Sequence, residues 1–166
     1  AQLPHEQKKI GLALMGSLTE SNWEDQASDA DFFHMKGVVE VLLRNLGVCQ
    51  YRFKKTTHPS LHPGRTAKVI VSGNEIGFCG ELHPSVRETM GLKKAVYLAE
   101  LDFERILSAR QTDWKVRQLP RFPATTRDMA VIVPEDIESE RVKDGIWEAG
   151  SELVEEVKLF DVYVGP

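Results

Sequence analysis

Cysteine is scarce in this chain: Cys49 and Cys79 stand far apart and in no paired motif. Two isolated thiols fit reduced cysteines in a reducing compartment better than a disulfide framework, so no Cys49–Cys79 bridge is expected. Long apolar runs are lacking too. Stretches such as 10–15 and 38–43 fall far below the roughly 20 residues a membrane-spanning helix needs. No basic-then-apolar leader opens the sequence, so a cytoplasmic protein with no membrane partner is expected. Positive charge is not in excess either. With 21 Lys and Arg against 25 Asp and Glu the net charge is −4, which argues against a surface that grips nucleic acid everywhere. No Ser/His/Asp or Cys/His arrangement can be assembled from the spacing, and no carboxylate pair shares a helix face. Nothing nominates a nucleophile, and no catalytic residue is expected.

What is present is 166 residues, enough for one domain or two small ones with a sizeable core. Residues 9–16 carry a short apolar run followed by turn chemistry at Gly16-Ser17 and 19–22, so a strand and then a loop are expected. Asp31 is placed to cap a helix in which Met35, Val38, Val41, Leu42 and Leu46 recur near helical spacing until Gly47 offers a stop. Tyr51 and Phe53 alternate with Arg52 and Lys54, the period of a strand over 50–57. Two prolines and a glycine make 58–66 a structured loop rather than a regular element. A hairpin is expected from 67–71, the turn Ser72-Gly73-Asn74 and 75–82. Pro84 suits the first position of a short helix entered from His83 and ending near Gly91. A strand at 95–101 and a helix at 103–109 capped by Asp102 follow. Neighbouring strands with helices inserted between them imply an antiparallel α+β sheet.

Residues 111–126 are polar and hold Pro120 and Pro123, which block helix and interrupt ladder donors; the domain boundary is expected there. Charge is uneven around it. Residues 110–128 carry +3 and residues 134–161 carry −7. An acidic helix repels a phosphate backbone at close range. RNA contact is therefore expected through the linker and strand ends, with Arg117, Arg121 and Arg127 as candidate RNA-binding residues. Residues 129–133 give the clearest strand signal in the chain, and 157–164 a further one. Between them Ser139 is placed to cap a helix whose apolar stripe is Val142, Ile146, Ala149 and Leu153, with Gly150 near its end.

Three further patterns invite chemistry. His58, His62 and His83, with Cys79 and Cys49, are zinc-ligand types, yet each histidine precedes a proline and the spacing is not that of paired knuckles. Loop histidines and no metal are expected. Gly73, Gly77 and Gly80 lack the Gly-Lys-Ser/Thr ending of a phosphate loop. In a strand such glycines mark bulges or close backbone approach, here expected at Gly77 and Gly80 against a neighbouring subunit. Arg52, Lys54, Lys55, Arg65 and Lys68 form a basic run with no acid between positions 50 and 72. It reads either as a phosphate patch with Tyr51 or Phe53 stacking on bases, or as a solvated face whose alternation buries those aromatics. The solvated face is the expected outcome.

Asp31-Phe32-Phe33-His34-Met35-Lys36-Gly37, His62-Pro63-Gly64-Arg65-Thr66-Ala67 and Gly80-Glu81-Leu82-His83-Pro84 together resemble the catalytic-like module of the beta subunit of bacterial phenylalanyl-tRNA synthetase. Phe122, Pro123, Arg127, Asp128 and the run Leu159-Phe160-Asp161-Val162-Tyr163 resemble the start of the same family's ferredoxin-like anticodon-binding domain. The resemblance implies an α+β fold: an antiparallel sheet like a class II synthetase core over 1–110, a linker at 111–126, and the first β, α and β of the βαββαβ domain at 127–166. It implies a fragment with an incomplete sheet whose open edge invites self-association. The parent it implies is an alpha2 beta2 enzyme that charges tRNA with phenylalanine using ATP and magnesium. The alpha subunit and tRNA would be the partners, while the fragment itself would be inactive and hold no cofactor. Class II synthetases hold ATP with an arginine placed like Arg105, but the glycine-alternating strand before it is lacking here, so a solvated helix residue is expected. The competing functional readings are an independent RNA-binding module acting through the basic linker and a small-molecule regulator, which would need the rest of the ferredoxin-like sheet.

Overall fold

The computed structural model describes residues 6–18, 28–112 and 121–164. The chain divides into two compact units, 1–117 and 118–166. The first is built on five antiparallel strands, β1 (Lys9–Met15), β2 (Tyr51–Lys55), β3 (Leu61–Val71), β4 (Asn74–Leu82) and β5 (Val96–Asp102), in the spatial order β1-β5-β4-β3-β2. Among its described residues α1 (Phe32–Asn45) connects β1 to β2, α2 (Pro84–Thr89) connects β4 to β5, and α3 (Phe103–Ser108) follows β5. The α+β class with an antiparallel sheet is thus observed.

Helix α1 starts and stops where its local chemistry dictates. The Asp31 carboxylate accepts the His34 N–H at 2.7 Å and the His34 ring accepts the Asp31 N–H at 3.2 Å, a capping box with histidine in the usual place of glutamate. At the other end Gly47 adopts φ +81° while Val48 N–H reaches the Leu43 carbonyl at 2.9 Å and Gly47 N–H that of Arg44 at 3.0 Å, the bonds of a Schellman stop. The buried stripe differs from the one expected. Met35, Val39 and Leu43 are fully buried, whereas Val38 is 39% and Val41 50% exposed. Steps of four residues hold the first three on one line down the helix, and that line faces the sheet.

One face of the sheet carries the core. Ala67, Val69 and Val71 of β3, Ile76 and Cys79 of β4, and Tyr97, Ala99 and Leu101 of β5 pack with the α1 stripe and with Ile106 of α3. Burying each large aliphatic contributes about 1.5–3 kcal/mol. The β3–β4 hairpin closes through Ser72 (φ +49°) and Gly73 (φ +80°), the left-handed pair that a two-residue turn of matching twist requires. Loop 58–66 was expected to lie outside the strands, but β3 begins at Leu61, which pairs with Leu82 before the ladder resumes at Thr66 and Gly80. The four residues between bulge out opposite Glu81, so Pro63 needs no ladder partner.

The second unit contains α4 (Ser139–Gly150) and a single 3-10 turn at Ser151–Leu153. Ser139 is the first helical residue rather than the cap before it. Val142 and Ile146 are half-buried, while Leu153 is 92% exposed. The strands expected at 129–133 and 157–164 enter no ladder among the described residues, and Met129, Ile132, Phe160 and Tyr163 are exposed. Alternation encodes which way side chains point, not which backbone supplies the partner. In a split β-α-β unit the two strands are not neighbours, so neither satisfies the other.

Candidate nucleic-acid interface

The candidate RNA-binding arginines fall at the unit boundary. Arg121 and Arg127 are exposed, and Arg127 donates to the Thr126 carbonyl at 3.1 Å; Arg117 lies outside the described residues. Both described guanidiniums are open to an anionic ligand.

The basic run is resolved by strand alternation. Tyr51 and Phe53 turn toward the helix side of the sheet, where their rings meet edge-to-face at 6.0 Å and Lys36 Nζ sits 5.0 Å over Phe53. Burial pushes the Tyr51 hydroxyl's pKa up, with Glu40 adding to the effect. These two aromatics therefore do not share a face with Arg52 and Lys54. Arg65 is drawn away from the run altogether, because its guanidinium bonds the buried Glu81 carboxylate at 2.5 Å, which holds it further toward its charged form.

What stands on the face turned away from α1 is a different set. Lys54 faces Lys68 directly across β2 and β3, Lys68 faces Phe78 on β4, Phe78 faces Glu100 on β5, and Glu100 faces Gly11 on β1. His58 lies on Phe78, its ring centroid 4.4 Å away and the planes 23° apart. Glu100 is neutralised by Lys9 at 2.6 Å, and Lys68 reaches Glu75 at 3.7 Å. The stacked ring pair on the basic side is His58 with Phe78, not Tyr51 with Phe53.

The histidines share one local role. His58, His62 and His83 each accept, through Nδ1, the N–H two residues on, from Ser60 at 3.2 Å, Gly64 at 3.1 Å and Ser85 at 3.3 Å. Cys79 lies in the core with its thiol pushed up to about 11 by burial, and Cys49 is exposed. Among the described residues no group of three His, Cys, Asp or Glu could hold a metal ion. Arg105 is tied at the start of α3, 2.5 Å from the Glu75 carbonyl and 3.4 Å from Asp102, rather than simply solvated.

The glycines expected against another subunit have their close neighbours within this chain. A Cβ on Gly77 would stand 2.0 Å from the Glu100 carbonyl oxygen, and one on Gly80 would stand 2.8 Å from the Arg65 carbonyl and 2.9 Å from the Thr66 hydroxyl. Thr66 in turn donates to the His62 carbonyl at 2.6 Å, so the 62–66 bulge rests on the bare backbone of Gly80. The approach is between a bulge and its own sheet.

These features define a two-unit α+β protein with a five-stranded antiparallel sheet whose main core cluster lies on the α1 face. Residues 1–103 match the model of the phenylalanyl tRNA synthetase beta chain CLM domain, and residues 120–166 that of the ferredoxin-fold anticodon binding domain. The phenylalanine–tRNA ligase beta subunit of Symbiobacterium thermophilum is 50% identical over 99% of this chain and 18% of that protein. Those of Shouchella clausii and Bacillus subtilis are 37% and 36% identical over 99% and 98% of the chain, each with 20% of its own length covered. The chain belongs to the phenylalanyl tRNA synthetase beta chain family. It spans about a fifth of the length of these relatives. Among the described residues no helix is long and apolar enough to cross a membrane.

Proposed function

We propose that the chain serves within a beta subunit of phenylalanyl-tRNA synthetase, where residues 1–110 form a non-catalytic core module that packs against an alpha subunit and residues 127–166 take part in recognising the tRNA anticodon. In this reading the alpha2 beta2 enzyme charges tRNA with phenylalanine in the cytoplasm, using ATP and magnesium bound by its catalytic part. The observation that carries it is the pair of family matches in sequence order, a beta-chain core domain and then an anticodon-binding domain, over one chain. A class II-like core accords with the antiparallel sheet. Arg117, Arg121 and Arg127 would supply phosphate contacts at the boundary, with the acidic α4 turned from the backbone by repulsion.

Three measurements test it. The chain, mixed with a phenylalanyl-tRNA synthetase alpha subunit, should co-purify with it, and the chain alone should give no phenylalanine-dependent pyrophosphate exchange. Binding of tRNA-Phe should weaken in Arg121→Ala/Arg127→Ala and with rising salt, since each lost phosphate contact removes counterion release. Exchange activity by the chain alone, or failure to retain the alpha subunit, would overturn the proposal.

A further inference from the structure

We propose that the sheet face turned away from α1 carries, at its β2–β3 end, a second RNA site, one that takes a single-stranded segment with its phosphate between Lys54 and Lys68 and a base stacked on His58. This goes beyond the anticodon-domain reading, because it lies in the first unit and uses none of the boundary arginines.

Charge complementarity selects the ligand. Two lysines directly opposed across β2 and β3 repel each other, an arrangement that costs stability unless an anion sits between them. Lys54 is exposed and has no ion-pair partner among the described residues, and the carboxylate nearest Lys68 is at 3.7 Å, a loose contact that a phosphate can displace. Arg52 stands two residues before Lys54 on the same face. The one carboxylate in the row itself, Glu100, is already held by Lys9.

The ring pair supplies the second half of recognition. His58 is fixed twice, by the Ser60 N–H on Nδ1 and by stacking on Phe78, so its outer face is a rigid platform that need not be ordered on binding. Histidine is among the rings on which unpaired bases stack, and stacking is tolerant of base identity. The register gives the span. Phe78 lies two strands from Lys54, about 10 Å at the usual strand spacing, a reach suited to one nucleotide's phosphate and base. A duplex has no unpaired base to offer, so the surface fits a single strand.

Anisotropy of a fluorescein-labelled uridine decamer, titrated with the whole 166-residue chain at two salt concentrations, tests the site. We expect binding that Lys54→Ala/Lys68→Ala reduces, with the salt slope lower by about 1.4 for two lost single-strand contacts. His58→Ala should weaken it roughly ten-fold, and His58→Phe, which loses the Ser60 bond but keeps a ring, should restore it. Unlabelled double-stranded RNA should compete poorly. Absence of binding at the lower salt, indifference to the lysine and His58 variants, or equal competition by duplex would each overturn the inference. Loss confined to Arg121→Ala/Arg127→Ala sinks the sheet site and leaves the boundary reading standing; loss confined to the Lys54, Lys68 and His58 variants supports the sheet site and leaves the boundary reading to its tRNA-Phe test.

Discussion

Helix α1 offers a test of which of its faces holds the first unit together. Leu43 is fully buried in the stripe with Met35 and Val39, while Phe33, larger and more apolar to the eye, is 73% exposed. Leu43→Ala removes buried methyl groups and leaves a cavity, a loss of about 3 kcal/mol. Phe33→Ala removes little buried area and gains slightly in helix propensity, so its effect should stay within about 0.5 kcal/mol. A unit of this size has a stability on the order of 10 kcal/mol, so the first change is a third of the whole. With a urea slope of about 1.5 kcal/mol per molar, the midpoint should fall by about 2 M for Leu43→Ala and by under about 0.3 M for Phe33→Ala. Cys79 supplies the reporter: it sits in the same core and is inaccessible until that core opens. Thiol labelling against urea in a Cys49→Ser background therefore reads this unit and not the other. A Leu43→Ala midpoint within about 0.5 M of the parent, or a Phe33→Ala shift beyond about 1 M, would refute the assigned face.

Other outcomes follow from single contacts. In the native wild-type chain one thiol, Cys49, should react with an aromatic disulfide and Cys79 should not, because it is buried and its pKa stands at about 11; denaturant should raise the count to two. Gly77→Ala places a methyl 2.0 Å from the Glu100 carbonyl oxygen and should lower stability by about 3 kcal/mol in urea unfolding, whereas Gly11→Ala meets nothing within 4 Å and should be neutral or gain up to about 1 kcal/mol. Asp31→Ala removes the α1 cap and should cost about 1 kcal/mol at pH 7. The hydrogen bond from His34 N–H holds the Asp31 carboxyl below the ordinary aspartate range, so its stabilisation is complete above about pH 5 and declines as pH falls through the depressed value. The gap between parent and variant should accordingly be flat at neutral pH and close in acid; a gap that widens in acid would contradict the capping role.

Much of the first unit is legible locally. Asp31, Gly47, Pro84 and Asp102 punctuate α1, α2 and α3 by chemistry that acts within a few residues, and the structure places each where that chemistry needs it. The α1 stripe was less legible. Val38, Val41 and Leu46 fit helical spacing as well as Val39 and Leu43 do, and only the position of the sheet distinguishes the two lines. In the second unit, residues 129–133 and 157–164 show strand-like patterns, but a ladder is a relation between segments and no pattern in one segment declares its neighbour. The candidate surface was half legible: the basic run was plain in sequence, but its ring partner was not.

The reason lies in one bulge. From the two-residue turn, an uninterrupted hairpin would carry the Val71–Asn74 pairing down to Lys68 opposite Gly77. Instead Ile70 pairs with Glu75 and Val69 with Gly77, leaving Ile76 as the extra residue. A shift by one exchanges the faces of every residue beyond it. Ile76 and Cys79, three apart, can then both face the core, and Phe78 turns to the open side beside Lys68. Gly77 permits the shift because β4 there presses its backbone on Glu100 with no room for a Cβ. Undoing the bulge would bring Cys79 out and send Phe78 in, removing the His58 stack. One residue without a side chain thus decides both how the core closes and whether the basic strand has a ring beside it.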